Sequence, residues 1–177
     1  MSSALHRSTH GSGVGRGSHA LGVSRNQVLA RDLAGPAPTI DENWTGAAVL
    51  DLCAAHPKIP SFAVVESGGK VVGLIERERL YLQFSQPLWL DVYTRRPIAP
   101  LVTRDAMMVD GATPIEGVKE LIAYRYPQAI SSGFAIVDSG RYLGIGTVTA
   151  LLEKTVDLAH RRAIELEEAH RKGEGPR

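Results

Sequence analysis

Two stretches of the chain carry the same pattern of apolar and polar positions. In residues 133–147, Phe134-Ala135-Ile136-Val137 and Tyr142-Leu143-Gly144-Ile145 are short apolar runs separated by Asp138-Ser139-Gly140. Runs of that length around turn residues predict strand, tight turn and strand, with Gly140 supplying the positive φ that a short hairpin loop uses. Thr147 stands where the second strand ends and is placed to cap a following helix. Residues 61–75 repeat the pattern: Phe62-Ala63-Val64-Val65, a turn from Glu66 to Lys70, then Val71-Val72-Gly73-Leu74-Ile75. Phe134 follows Phe62 by 72 residues, and Gly144 follows Gly73 by 71. Upstream, Val109-Asp110 follows Ile40-Asp41 by 69 residues, as Val118 follows Val49. The chain therefore contains a duplicated unit of strand, helix, strand, turn, strand and helix.

The helical parts read by period and by their ends. Ala48, Val49, Leu52 and Cys53 share one face of a helix entered through Asp41 to Thr45 and ended by Pro57. Glu76 to Phe84 closes the first copy. In the second, Thr113-Pro114-Ile115-Glu116 combines a capping threonine, a proline in the first turn and an acid at the positive end of the helix. Ile115, Val118, Leu121 and Ile122 form its buried face, and Pro127 stops it. Ser24 is expected to cap a short helix through Leu33, halted by Gly35 and Pro36. Between the copies, Trp89 and Tyr93 are four apart and predict a stacked pair packed against the repeats. Beyond Thr147 the pattern continues as a heptad seam of Leu152, Val156, Ala159, Ala163, Leu166 and His170. Glu167 with Arg171 and Glu168 with Lys172 add favourable i,i+4 pairs. A helix of more than twenty residues is expected, its outer half marginal alone and implying a partner helix.

Composition narrows the class. With 44% hydrophobic residues in 177 the chain can bury a core, and no apolar run is long enough to span a membrane. The N-terminus lacks the apolar core of a signal peptide, so a cytoplasmic protein is expected. A net charge of +1 argues for neither nucleic acid nor a membrane surface as partner. Cys53 reads as a small buried hydrophobe. Residues 1–24, rich in Ser, Gly, His and Arg, are expected to be a disordered tail, and His6, His10 and His19 match no metal-ligand spacing. There is no phosphate-cradling glycine loop and no nucleophile or metal constellation, so a non-enzymatic protein is expected. The division expected is a tail at 1–24, a first repeat at 25–85, a linker at 86–104, a second repeat at 105–157 and a helical extension at 158–177, in the α/β class.

This duplicated order, with a glycine in the second strand of each hairpin, resembles a tandem pair of CBS (cystathionine-β-synthase-type) domains over about residues 29–157. The stretches Gln86-Pro87-Leu88 through Pro97-Ile98 and Gly140 to Gly144 are similar to CBS pairs of bacterial cyclic-di-GMP signalling proteins. The resemblance implies two β-α-β-β-α repeats, a homodimer, and a regulatory ligand in the cleft between repeats: AMP, ADP, ATP, S-adenosylmethionine or a cyclic dinucleotide. It places ligand contacts at Ile40, Phe62, Glu76 and Arg79 in the first copy and at Val109, Phe134, Thr147 and Ala150 in the second. The family pattern after the glycine is two apolar residues, Thr or Ser for phosphate or ribose, two variable residues and an Asp for the ribose hydroxyls. Here Glu76 and Arg79 occupy the hydroxyl and Asp positions of the first copy. The second keeps Thr147 but has Ala150 in place of the acceptor. Two readings follow: a sensor relaying ligand state through dimer geometry and the C-terminal helix to a signalling partner, or a ligand-free dimerisation and docking scaffold.

Overall fold

A computed structural model describes residues 27–173. The first repeat runs β1 (Ile40–Asp41), α1 (Gly46–Ala55), β2 (Ser61–Val65), β3 (Val71–Glu76) and α2 (Arg77–Phe84). After α3 (Pro87–Tyr93), the second runs β4 (Met108–Asp110), α4 (Ile115–Tyr124), α5 (Ala129–Ser132), β5 (Phe134–Asp138), β6 (Arg141–Gly146) and α6 (Val148–Gly173). Each repeat forms a three-stranded sheet in chain order, its first two strands parallel and its last two an antiparallel hairpin. The hairpins slip register at equivalent places, between Val64 and Val65 and between Ile136 and Val137. In the second hairpin Ser139 (φ 52°) and Gly140 (φ 81°) both take positive φ, which gives a two-residue turn whose twist matches the strands.

The helical faces expected from the sequence are the ones that pack. Val49 and Cys53 of α1 join Ile40, Phe62, Ile75 and Leu80 in the core of the first repeat. Ile115, Val118 and Ile122 of α4 join Val109, Phe134 and Ile136 in the core of the second. Trp89 and Tyr93 stack with ring centroids 4.7 Å apart and lie against the first core. A third apolar cluster lies between the sheets and is built from both repeats: Ala63, Val71, Leu74, Ala106, Ala135 and Ile145.

Each sheet is completed by the segment that precedes the other repeat. Gly35, upstream of β1, exchanges both backbone hydrogen bonds with Ile145 of β6, at 2.9 and 3.0 Å. Thr103, upstream of β4, does the same with Leu74 of β3, at 3.1 and 2.8 Å. Ala30 and Leu33 of the first strap are buried in the second core, and Ile98 and Leu101 of the other strap in the first. The glycine common to both hairpins makes this crossing possible. A Cβ on Gly73 would lie 2.6 Å from the Thr103 carbonyl oxygen, and one on Gly144 2.7 Å from that of Gly35. No side chain fits there unless the strap moves.

Three local expectations are corrected. Within the described residues, the helix read from Ser24 to Leu33 is only a 3₁₀ turn, Ala30–Leu33. Its backbone is held by the other repeat instead, Ala30 N–H donating to Thr113 (2.7 Å) and Arg31 N–H to Gly111 (3.0 Å). Helix α4 begins from Pro114 with no side-chain cap, so Thr113 does not play that part. After Pro127 the chain makes the extra turn α5 before β5. Ser24, the tail at 1–24 and its histidines lie outside the described residues. No helix among the described residues is long and apolar enough to cross a membrane.

Candidate functional site

The repeats leave a cleft between the two junctions where each hairpin passes into a helix. Its first wall is the loop Pro57-Lys58-Ile59-Pro60 with Glu76, Arg77 and Glu78 at the start of α2. Its second wall is Ile130, Ser131, Ser132 and Gly133 with Thr147, Val148 and Thr149 at the start of α6. The cleft has two lobes that share Lys58, Pro60 and Ser131, with volumes of about 250 Å³ beside Glu76 and about 390 Å³ beside Thr147. Local sequence builds both walls. Pro57 and Pro60 bracket a tight loop, and Gly133 takes φ +70° with its α-carbon against the Gly146 carbonyl, where a Cβ would come within 2.7 Å.

The lobes differ in charge. The smaller one is lined by Glu76 and Glu78 together with Lys58, and Arg77 is already engaged. Its Nε donates to the Ile59 carbonyl at 2.8 Å, Nη1 to that of Cys53 at 2.6 Å, and Nη2 to that of His56. The guanidinium also stands over the Phe62 ring (5.7 Å) and the Tyr81 ring (5.9 Å). A cation thus closes the negative C-terminal end of α1. Burial pushes the Cys53 thiol above its usual range, and Arg77 only partly opposes this, in keeping with an inert buried cysteine.

The larger lobe gathers anion-binding chemistry. Lys58 comes from the first repeat and Thr147 and Thr149 from the second, as does Ser131, whose hydroxyl already donates to the Gln128 carbonyl at 3.2 Å. The start of the 26-residue helix α6 adds the positive end of a long dipole. Thr147 Oγ1 accepts the Ala150 N–H at 3.2 Å, so Thr147 is the helix cap, and its hydroxyl proton remains to donate.

Of the positions named from the sequence, Thr147 and Glu76 line the cleft, one in each lobe. Ile40, Phe62, Val109 and Phe134 are at most 2% exposed, and their side chains fill the two cores. Ala150 is half-buried in the first turn of α6 and carries no acceptor. Arg79 is exposed and reaches the strap, where Nη1 donates to Thr103 Oγ1 at 3.1 Å. No sequence pattern singles out Lys58, Ser131 or Arg77. Lys58 and Ser131 sit in a loop and a short turn without hydrophobic period, and only the closing of the repeats brings them together. A proline pair around Lys58 was the available signal. Among the described residues no cluster of His, Cys, Asp or Glu could hold a metal ion.

Neither protein-family models nor curated proteins give a match to this sequence. Solved structures do. CBSX2 from Arabidopsis thaliana is similar over 76% of this chain and 98% of its own, with 15% identity and a TM-score of 0.61. CBSX2 in complex with AMP gives 18% identity and 0.60, over 74% of this chain and 98% of its own. The CBS pair of MJ0100 in complex with 5′-methylthioadenosine and S-adenosylmethionine is similar over 74% of this chain and 98% of its own, at 19% identity and a TM-score of 0.58. The cytosolic domain of the Mg2+ channel MgtE in complex with ATP is similar over 68% of this chain and 46% of its own, at 24% identity and 0.54. Two interlocked repeats of β-α-β-β-α order, the second with the extra turn α5, around one shared cleft, and these likenesses, give the same answer: the chain has the fold of a tandem CBS-domain pair.

Proposed function

We propose that this CBS pair is a non-enzymatic regulatory module of the cytoplasm that binds an adenine nucleotide or related ligand in the lobe beside Thr147. In this reading it works as a homodimer and relays occupancy through α6 to a signalling partner. The observation that carries the reading is the make-up of that lobe. Lys58 of one repeat faces the hydroxyls and helix start of the other, so a phosphate-bearing ligand would touch both repeats at once. A ligand that grips both walls favours one arrangement of the repeats over others, which is what a switch requires. Thr147 is also the first-turn cap of α6, so the same residue stands at the ligand and at the root of the output helix. The complexes of CBSX2 with AMP, MJ0100 with S-adenosylmethionine and MgtE with ATP support an adenine-containing ligand.

The ligand-free scaffold reading draws on Ala150 and Arg79. One has no acceptor for a ribose diol and the other is turned to Thr103. Loss of such an acceptor costs about 1–3 kcal/mol, or one to two decades of affinity. A thermal-shift series with AMP, ADP, ATP, S-adenosylmethionine and cyclic dinucleotides separates the readings. A ligand at a hundred times its Kd adds about 2.7 kcal/mol to folding, a rise of several degrees in Tm. Thr147→Val and Lys58→Ala should each shrink that rise. No shift with any of these compounds at millimolar concentration would leave the scaffold.

A further inference from the structure

We propose that α6 pairs with α6 of a second copy as a parallel, in-register coiled coil, set by Arg162 and Glu167. This rests on the homodimer reading above and adds its orientation. Leu151 and Leu158 are the buried residues of α6, at 5% and 7% exposure, and every described residue after Leu158 is exposed. At roughly 100° per residue, these leucines point about 100° away from the heptad seam. Leu152 (60% exposed), Val156 (66%) and Leu166 (63%) of that seam are left to solvent, together with Ala159, Ala163 and His170. The exposed run 159–173 is about 22 Å of helix, a length that is marginal on its own in water.

The flanks of the seam choose the occupant and its direction. Arg162 precedes the seam residue Ala163 on one flank, and Glu167 follows Leu166 on the other. Five residues apart on opposite flanks, they do not meet along one helix. In a parallel in-register pair, each Arg162 faces Glu167 of the second copy, twice by symmetry, and like seam residues meet layer by layer. In the fully overlapped antiparallel pair, Glu153 would face the second copy's Glu167, and Arg162 would face its own counterpart. Every charged flank contact there is repulsive. Ala159 and Ala163 make small mid-seam layers in either direction, so the charged flanks, not the seam, set the direction.

The test uses the full-length chain with Cys53→Ser. Ala163→Cys is oxidised, and covalent dimer is scored without reductant. The parallel pair gives a homotypic 163–163 disulfide. The antiparallel pair gives none, and cross-links only when the Ala159→Cys and Ala163→Cys proteins are mixed. Sedimentation supplies the second arm. Arg162→Glu and Glu167→Arg should each weaken self-association by about tenfold, and mixing the two variants should restore it, because the mixed pair regains both attractions. A dimer that forms only the mixed cross-link, or no seam cross-link, overturns the orientation but leaves the homodimer standing. A monomeric mass overturns both. Nucleotide shifts are independent of either result.

Discussion

Arg77 offers the most direct check on how the cleft wall is held. Its side chain joins three carbonyls from the end of α1 and the following loop, those of Cys53, His56 and Ile59. Replacing it with methionine keeps the aliphatic stem and removes all three donors. A hydrogen bond to a charged group contributes about 1.5–3 kcal/mol net, but the site is half-exposed, so water can reach part of what is lost. Interaction with the helix dipole and with the Phe62 face adds several tenths of a kcal/mol to about 1 kcal/mol. Together these put the loss at about 3 kcal/mol for Arg77→Met, a fall in Tm of roughly 6–12 °C for a chain of this size. Arg77→Lys keeps the charge but not the fork of donors, and should recover less than half of it. Urea denaturation of the three proteins, followed by circular dichroism, measures this. A loss below about 0.5 kcal/mol, the range of an ordinary surface change, would refute the reasoning, as would full recovery by lysine.

Further outcomes test the strap and its surroundings. Gly144→Ala places a methyl 2.7 Å from the Gly35 carbonyl oxygen and 2.9 Å from the Ala34 Cβ, so the strap must shift. A loss of about 1–3 kcal/mol in unfolding free energy, seen as a lower urea midpoint, is expected, and an unchanged midpoint would mean the crossing is slack. Tyr142 donates its hydroxyl to the Ala37 carbonyl at 3.1 Å, and burial pushes its pKa up to about 12. The folded state therefore keeps this proton after the unfolded chain, near pH 10, has lost it. The resulting stability is complete below about pH 10 and disappears as pH rises toward about 12. An absorbance titration should show a late tyrosine phase, and Tyr142→Phe should remove it.

What could be read from the sequence was whatever short-range patterning controls. The two hairpins, the faces of α1 and α4, the Trp89 and Tyr93 stack and the unbroken run of α6 follow from periods of two and 3.6 and from turn residues. Thr147 as a cap was visible from its place at the strand-to-helix junction. The first strap was not, because Leu29 to Gly35 has no amphipathic period and its partners lie about 80–110 residues away. A short helix was the local expectation, and long-range pairing with the second repeat won. The same limit hid the part played by Arg77, whose three acceptors are scattered over a helix end and a loop. It also explains Arg79. Spacing alone sets it one turn after Glu76, but the strap carrying Thr103 lies beside α2 and takes up the side chain.

The reciprocal crossing governs how the molecule comes apart. Neither repeat holds all of its own core, since Ala30 and Leu33 serve the second and Ile98 and Leu101 the first. A cut within the connection at α3 would therefore yield complementing fragments. Each would carry the piece its neighbour lacks, and the nicked protein would stay whole until one strap let go. Either half alone would expose an unfilled groove and an open strand edge, a template for pairing with whatever chain is near. Loss of one half should therefore be cooperative with loss of the other.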